Sequence, residues 1–422
     1  MKTPLFHIVK LILLCLLLHG NQLYAQHEEL LEEDYITISG IVRDNNSHKR
    51  MEYVNVSVTG SDIGTVTNRE GGFTIKIKKS LQAKSIEFSH IGYRNSLIPI
   101  EGMDLSNIRV WLIPNANLLN EVIVRGYDPR ILVEQAILKV SSNYSREGNL
   151  LTGFYRETTQ KRRRYITIAE AIVDVYKTAY TRRDVLSDRV QIYKGRKLLS
   201  QKPDDTLAVK LLGGPNLSIN VDVVKNPDML LHPEELNNYH FHIEESVMFD
   251  KRPHYVIGFE PRVILPYPLY RGKLYIDKER LSFSRVEIAL DMDDLGKATQ
   301  AILKRKPRGL RFKPIEVSFF INYKENKGVT YLSYIRNTVR FKCDWKRKLF
   351  STNYTIVSEM VVTDRKVQKE GISYRQSFKR SQSLSDRVID YVDEHFWGAY
   401  NIIEPTESLE SAVKKLKKRS DF

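Results

Sequence analysis

Apolar and polar residues alternate in short runs along most of this 422-residue chain, and this alternation predicts a mainly β fold. The pattern is sharpest in GTVTNREGGFTI, residues 64–75, where two short runs of β-type residues flank Gly71 and Gly72. Glycine adopts the positive φ angles of a tight turn without a Cβ clash, and Phe73 and Ile75 then alternate inward. The stretch therefore predicts a strand, a turn and a second strand.

Residues 1–25 predict a secretory signal peptide. Basic residues flank the start of the apolar run LILLCLLL, residues 11–18, and a short polar stretch leads to a predicted cleavage after Ala25. Cys15 lies inside the apolar run, whereas the cysteine of a lipoprotein closes such a run, so lipidation is not favoured. We therefore expect an exported protein.

Residues 36–124 predict a small antiparallel sandwich. The runs ITISGIVRD, YVNVSVTG, FTIKIK and SIEFSHIGY alternate in polarity, and turn residues separate them at short intervals. In YVNVSVTG the valines are expected to face the core, while Asn55 and Ser57 face water.

Five motifs in this region, SGIVRD, YVNVSVTG, GTVTNREGGFTI, SHIGYRN and LNEVIVRG, together resemble the carboxypeptidase-regulatory-like domain. That family is the sandwich at the front of many outer-membrane nutrient receptors of Bacteroidetes. The resemblance covers about a fifth of the chain and implies a Greek-key β-sandwich in an envelope protein of such bacteria. It implies little about activity, because one fold serves many functions.

The whole receptor is not expected. In those receptors a segment like LNEVIVRG leads into a plug and a barrel of about 22 strands, whereas fewer than 300 residues follow Gly126 here. The stretch ESAVKKLKKRSDF also lacks the alternating lipid-facing residues of a final barrel strand.

Residues 128–362 predict a large antiparallel sheet with packed helices. Long alternating strands follow from residue 151, and the break at residues 203–231 is expected to be core or a lid. The preceding helix is expected to bury Ile131, Leu132, Ala136, Ile137 and Val140. The hairpin GKLYIDKERLSFSRVEI resembles those of lipoprotein-carrier half-barrels, which implies a curved sheet around a helix and a possible apolar ligand.

Residues 380–422 predict a helical C-terminal segment. A serine caps the first of two helices, Gly398 ends it, and lysines close the second. The aromatic residues Phe396, Trp397 and Tyr400 either anchor a partner or pack on the sheet, and packing on the sheet is favoured.

Two sets of residues have partial metal-binding patterns. His232 and Glu235 have the His-x-x-Glu spacing of metallocarboxypeptidases, but the third histidine of such a site has no candidate in a later strand. His240, His242 and His254 match the ligand number of a catalytic zinc site. A helix start and a half-exposed strand explain these residues better, so no metal site is predicted.

No catalytic or cofactor-binding residue is predicted either. Asp291, Asp293 and Asp294 form the remaining cluster suited to a divalent cation, and a solvated turn is the favoured interpretation. Cys343 is expected to be a small buried hydrophobe. Nucleophile-elbow, phosphate-loop and His-Glu-x-x-His motifs do not occur in the sequence.

The charge and the motifs together predict a non-enzymatic envelope protein. The net charge of +15 and four basic runs suit an anionic membrane surface or an acidic polysaccharide, although a solvated basic face is the favoured interpretation. The expected partner is an envelope protein or an anionic membrane surface, and export argues against nucleic acid. We expect the periplasm or the periplasmic face of the outer membrane, with the sandwich as a docking module that uses strand addition. A periplasmic lipid or lipoprotein carrier and an enzyme of unrecognised type are the alternatives.

Overall fold

The computed structural model describes residues 35–115, 128–345 and 351–420, with short gaps at 183–184, 206, 208, 212–213, 380–381, 383 and 391–393. The predicted signal peptide, the motif LNEVIVRG and the basic run KRK at 346–348 lie outside the described residues. Strands dominate both parts of the described chain, so the predicted mainly β fold is confirmed.

The first seven strands form a sandwich of two sheets. One sheet has the order β4-β1-β7 and the other β3-β2-β5-β6, and β7 runs parallel to β1 while the other pairs are antiparallel. The strands are β1 (Tyr35–Asp44), β2 (Asn55–Val58), β3 (Gly64–Val66), β4 (Gly72–Lys78), β5 (Ser85–Ser89), β6 (Ser96–Pro99) and β7 (Leu105–Leu112).

The turn between β3 and β4 requires glycine, as the sequence predicted. Gly71 has a φ of +72°, and a Cβ there would lie 2.6 Å from the Val42 carbonyl oxygen. Phe73 and Ile75 follow with their side chains in the sandwich core.

A second, eleven-stranded sheet makes up most of the remaining chain. Its order is β12-β13-β14-β15-β17-β18-β19-β8-β9-β10-β20, antiparallel throughout except for β10 and β20. Its strands are β8 (Asn149–Lys161), β9 (Arg164–Lys177), β10 (Arg189–Leu199), β12 (Tyr239–Phe249), β13 (Arg252–Pro261), β14 (Tyr270–Asp277), β15 (Phe283–Leu290), β17 (Leu310–Asn326), β18 (Val329–Trp345), β19 (Thr352–Val367) and β20 (Ile389–Asp390). The short strands β11 (Lys210–Leu211) and β16 (Leu303–Arg305) pair with each other.

Helices and the middle segment cover one face of this sheet. The helices α1 (Pro129–Asn143), α2 (Pro215–Asn220) and α3 (Leu295–Ile302) share one apolar core with the strands. Segment 203–231 belongs to that core, with Ile219 and Val223 almost fully buried. The predicted face of α1 was wrong at Ile131, which is exposed, because the stripe that faces the core runs from Leu132 instead.

The centre of this core is ionic. The Lys177 ammonium lies 2.9 Å from the Asp222 carboxylate and 3.4 Å from Asp188, and these side chains are at most 1% exposed. The Tyr180 and Tyr323 hydroxyls donate to Asp222 at 2.9 and 2.7 Å. Burial by itself lowers the pKa of Lys177, but the two carboxylates outweigh it and raise that pKa, so the Lys177 ammonium stays charged.

The C-terminal segment has one helix where two were predicted. The described residues before Gly398 form single 3₁₀ turns at Leu384–Asp386 and Glu394–Trp397 and the strand β20, and only α4 (Glu407–Ser420) is a helix. Leu384 packs in the core on the helix-covered face, whereas Trp397 packs on the opposite face. A straight helix with one apolar face cannot place apolar residues on both faces of a sheet.

We predict that Asp222→Asn lowers the free energy of unfolding by about 3–5 kcal/mol, because it removes half of a buried ion pair and leaves Lys177 undercompensated. Denaturant titrations with two probes measure this. Glu134→Gln is the control: Glu134 pairs with Arg130 on the exposed side of α1, and its loss is expected to change stability by less than about 1 kcal/mol. Equal effects of the two substitutions would contradict a structural role for the ionic cluster.

His254 on β13 gives a second prediction. Its Nδ1 lies 3.0 Å from the Arg252 carbonyl oxygen, which only accepts, so Nδ1 donates and Nε2 accepts from the Ser284 hydroxyl at 2.8 Å. The side chain is fully buried, and burial lowers the pKa of His254 to about 4.

The unfolded chain, with a histidine pKa of about 6.5, binds more protons than the folded protein between pH 4 and pH 6.5. Stability therefore falls as the pH drops through that window, by up to about 3 kcal/mol from this residue. We expect His254→Gln to lose correspondingly less stability than the wild type between pH 7 and pH 4, as measured by denaturant titration. Equal losses in both proteins would assign the pH dependence to other groups.

Candidate functional site

The sandwich lies on the face of the large sheet opposite the helices. Val66 and Tyr53 of the sandwich share an apolar cluster with Phe154, Tyr334 and Val361 of the sheet. The Tyr53 ring is stacked on the Tyr334 ring, with centroids 5.7 Å apart. The two domains are therefore in direct contact through aromatic side chains.

The polar face of β2 lies against the second domain, so the prediction that Asn55 and Ser57 face water was wrong. Both residues are buried, and they line a cavity of about 250 Å³ together with Asp250 and Lys324 of the large sheet. Alternation predicted correctly which residues leave the sandwich core. What covers them depends on the neighbouring domain.

Hydrogen bonds and an ion pair also hold the sandwich against the large sheet. Asp62 of the sandwich accepts a hydrogen bond from Asn326 at 2.7 Å and pairs with Arg365 at 3.2 Å. Lys324 donates to the Ser61 carbonyl oxygen at 3.2 Å. These contacts join the β2–β3 turn to strands β17 and β19.

An open groove of about 630 Å³ remains between the sandwich and the uncovered part of the sheet. Tyr53 and Arg69 form its wall on the sandwich side, and Phe320 lies in its floor. Four basic and three acidic side chains also line it: Arg69, Arg271, Lys273, Arg336, Glu260, Glu287 and Glu316. The near balance of charge suits a ligand that carries both donors and acceptors.

The floor of the groove is built from aromatic rings and guanidinium groups. The Tyr53 and Phe320 ring centroids are 5.3 Å apart, and the Arg336 guanidinium group lies 5.4 Å from the Tyr53 centroid. Next to the groove lining, the Arg285 guanidinium group lies 4.6 Å from the Phe320 centroid. Arg336 also pairs with Glu359. Burial raises the pKa of Tyr53 to about 12, so its hydroxyl stays neutral. Such a floor binds by stacking and hydrogen bonding.

The groove continues toward a polar cavity of about 200 Å³ in the seam between the domains. Tyr53, Arg69 and Arg336 line both spaces. Ile403 and Glu404, in the segment between the last 3₁₀ turn and α4, form part of the wall of the cavity. We call residues 396–407 the strap.

Within the strap, Trp397 packs on the large sheet, as the sequence analysis favoured. The Trp397 ring is perpendicular to the Phe154 ring, with centroids 5.4 Å apart, and only 3% of Trp397 is exposed. Sequence analysis did not identify the strap as a ligand of the sandwich, since its contacts join residues more than 300 positions apart.

The three candidate zinc histidines do not come together. His240 and His242 are neighbours on β12 with ring centroids 6.5 Å apart, but His242 pairs with Gly258 while the buried His254 pairs with Val247. Glu235 lies in a 3₁₀ turn next to His232 and accepts from Asn238. Among the residues that the structure describes, no group of three His, Cys, Asp or Glu side chains could hold a metal ion.

The remaining candidate residues have structural contacts. Asp291 and Asp293 pair with Arg271 at 2.5 and 3.4 Å, and Asp294 caps α3 by accepting from Gly296 and Lys297. Cys343 is buried, and burial raises the pKa of its thiol to about 11. A thiol with that pKa is a weak nucleophile.

Sequence reasoning missed the groove residues because they lie on separate strands with no shared motif. Tyr53, Arg69, Phe320 and Arg336 span almost 300 positions, and each alone is an ordinary strand or turn residue.

In the described part of the chain, no helix is both long and apolar enough to cross a membrane.

Three solved structures are similar to more than half of this chain. A DUF1329 family protein from Desulfovibrio piger is 12% identical and covers 58% of this chain and 96% of its own, with a TM-score of 0.25. A putative outer membrane lipoprotein-sorting protein domain from Vibrio parahaemolyticus is 10% identical and covers 58% of this chain and 94% of its own, with a TM-score of 0.24. A LolA superfamily protein from Nitrosomonas europaea is 9% identical and covers 59% of this chain and 99% of its own, with a TM-score of 0.19. At these TM-scores the similarity assigns no function.

Sequence comparison concerns the sandwich. The TonB-dependent receptor SusC of Bacteroides thetaiotaomicron is 34% identical over 92 residues, which are 22% of this chain and only 8% of the receptor. Residues 38–124 match the family model of the CarboxypepD_reg-like domain. Together with the two-sheet fold, this match confirms that residues 38–124 form a carboxypeptidase-regulatory-like domain.

Proposed function

We propose that this protein is a non-enzymatic, exported envelope protein that binds a partner protein in the groove between its sandwich and its large sheet. The observation that carries the proposal is the composition of the groove: both domains line it, and it is open to solvent. A site that needs both domains gives the sandwich a role beyond folding, because the sandwich forms one wall.

The N-terminal part of the chain supports the proposed location in the cell envelope. The leader predicted over residues 1–25 supports export, and the domain shared with a TonB-dependent receptor supports the cell envelope. The periplasm or the periplasmic face of the outer membrane is the proposed site. The basic surface suits an anionic membrane surface there.

The balanced charge of the groove supports a polypeptide partner. Arg69 and Arg271 are exposed near its two sides, while the acidic Glu287 and Glu316 also line it. A polypeptide segment with mixed charges meets such a surface with complementary pairs on both sides. The Tyr53 and Phe320 rings, in contact at 5.3 Å between centroids, supply the apolar contact that anchors such segments.

The packing of the helix-covered face argues against a lipid carrier. An acyl chain needs an apolar hollow, but α1, α2 and the middle segment fill that face, and its centre is the charged Lys177–Asp222 pair. We therefore propose protein binding rather than lipid transport.

We predict that Arg69→Ala/Arg271→Ala, which removes two exposed charges from the groove, weakens partner retention about fivefold to tenfold. The measurement is quantitative co-purification of the tagged full chain from the cell envelope. Arg109→Ala/Arg311→Ala is the matched control, since it also removes one exposed arginine from each domain but leaves the groove lining intact. If both double variants retain the partner equally, the groove is not the binding site.

We also expect native mass spectrometry of the protein isolated from the periplasm to show no mass of a bound lipid. A reproducible additional mass of one or two acyl chains, lost on organic extraction, would favour the carrier function instead. Asp222→Asn provides a comparison, because a ligand held on the helix-covered face would respond to that substitution.

A further inference from the structure

The strap is bound by the sandwich in the way that a peptide ligand is bound. The Thr65 hydroxyl donates to the Ile402 carbonyl oxygen at 2.9 Å. The Asn68 amide donates to the carbonyl oxygens of Glu404 and Pro405, each at 3.2 Å. All three acceptors are main-chain atoms, so these bonds depend on the position of the strap main chain and not on side-chain identity.

One strap side chain closes an edge of the sandwich. The Asn401 carboxamide accepts from the main-chain N–H of Lys76 at 2.6 Å and donates to its carbonyl oxygen at 3.0 Å. Lys76 lies on β4, which is the edge strand of its sheet. A carboxamide that forms both bonds reproduces what one peptide group of an added strand would do.

The large sheet supplies an aromatic anchor point. Trp397 packs on Phe154, and the Arg196 guanidinium lies 4.8 Å from the tryptophan ring. Lys194 lies 4.4 Å from the Phe396 ring. Cations above aromatic rings stabilise such contacts when they are shielded from water.

A buried carboxylate positions the cations beneath the strap. Glu170 pairs with Arg156 at 2.8 Å and with Arg196 at 3.0 Å. Arg156 in turn donates to the Ile403 carbonyl oxygen at 2.8 Å. Burial raises the pKa of Glu170, but the two guanidinium groups outweigh it and lower that pKa, so the carboxylate is ionised. The sheet thus presents a preorganised surface for an aromatic residue and a following main-chain carbonyl.

We propose that the surface beneath the strap is a polypeptide-binding site, which the strap occupies as an intramolecular ligand. An extended segment of a partner protein, with a tryptophan and an asparagine four positions later, displaces the strap. The strap contacts described above involve none of the charged residues that line the groove. Displacement would also uncover the seam cavity, because Ile403 and Glu404 form part of its wall.

The test uses the full chain and a labelled peptide of residues 394–407, EHFWGAYNIIEPTE. In the wild type the strap competes at the high effective concentration of a tethered ligand. Trp397→Ala/Asn401→Ala removes two strap anchors and leaves the receiving surface unchanged. We expect this double variant to bind the peptide at least about tenfold more tightly than the wild type does, and a peptide with the same two substitutions not to bind.

Adding Thr65→Val to the double variant identifies the receiving surface. This change removes the hydroxyl that bonds the Ile402 carbonyl, and we expect it to weaken peptide binding several-fold. The proposal would be overturned if the double variant is folded, as shown by cooperative unfolding, and still binds the peptide no more tightly than the wild type does. A wild-type dimer formed by strap exchange would also overturn it, because the occupant would then be a second copy.

Hydrogen exchange of the wild type tests the same idea without any substitution. We expect the strap amides between residues 399 and 405 to exchange faster than those of β8 and β9, and faster still with excess peptide. Strap amides that exchange as slowly as the strand amides, with or without peptide, would show permanent packing and overturn the proposal. Arg271 lines the groove but not the seam cavity beside the strap, so Arg271→Ala alone tests the groove and the two proposals can fail separately.

Discussion

The buried contact between the Lys177 ammonium and the Asp222 carboxylate determines which face of the large sheet is available for binding. It joins the end of β9 to the segment after α2, and the Tyr323 hydroxyl from β17 completes it. A charged pair at this depth persists only where its partners surround it, so the middle segment is held against the sheet. The helices and the middle segment therefore fill this face of the sheet.

With that face filled, the opposite face carries the interactions that distinguish this chain. The sandwich covers part of it, and the uncovered part forms the groove with Tyr53 and Arg69 as one wall. Both domains therefore contribute to one surface. The docking role proposed for the sandwich becomes a property of the domain pair rather than of the sandwich alone.

The strap gives the glycine-rich turn between β3 and β4 a second role. Gly71 allows the tight turn, and Asn68 in the same turn bonds the main chain of the strap. The chain thus uses a local folding element to recognise an extended segment from its own other end. Main-chain recognition of this kind is available to any extended polypeptide that also satisfies the Trp397 and Asn401 positions.

The sequence by itself determined the strands, the turn and the identity of the sandwich. Side-chain alternation and positive φ are consequences of local backbone geometry, so Phe73, Ile75 and Gly71 were predictable from a few neighbouring residues. The resemblance to the domain family was visible in five short motifs of the sequence. Most of the apolar stripe of α1 was predictable, but Ile131 is exposed and the fully buried Val133 was not predicted.

Only the tertiary structure decided what the polar residues do. Asn55 is buried because a second domain covers it, and Asp222 contacts both Lys177 and Tyr323 although 146 positions separate those two residues. The C-terminal segment was predicted as helix from its local pattern, but its apolar residues serve opposite faces of one sheet. The environment of a polar or terminal residue depends on which distant surface packs against it, and no local pattern encodes that choice.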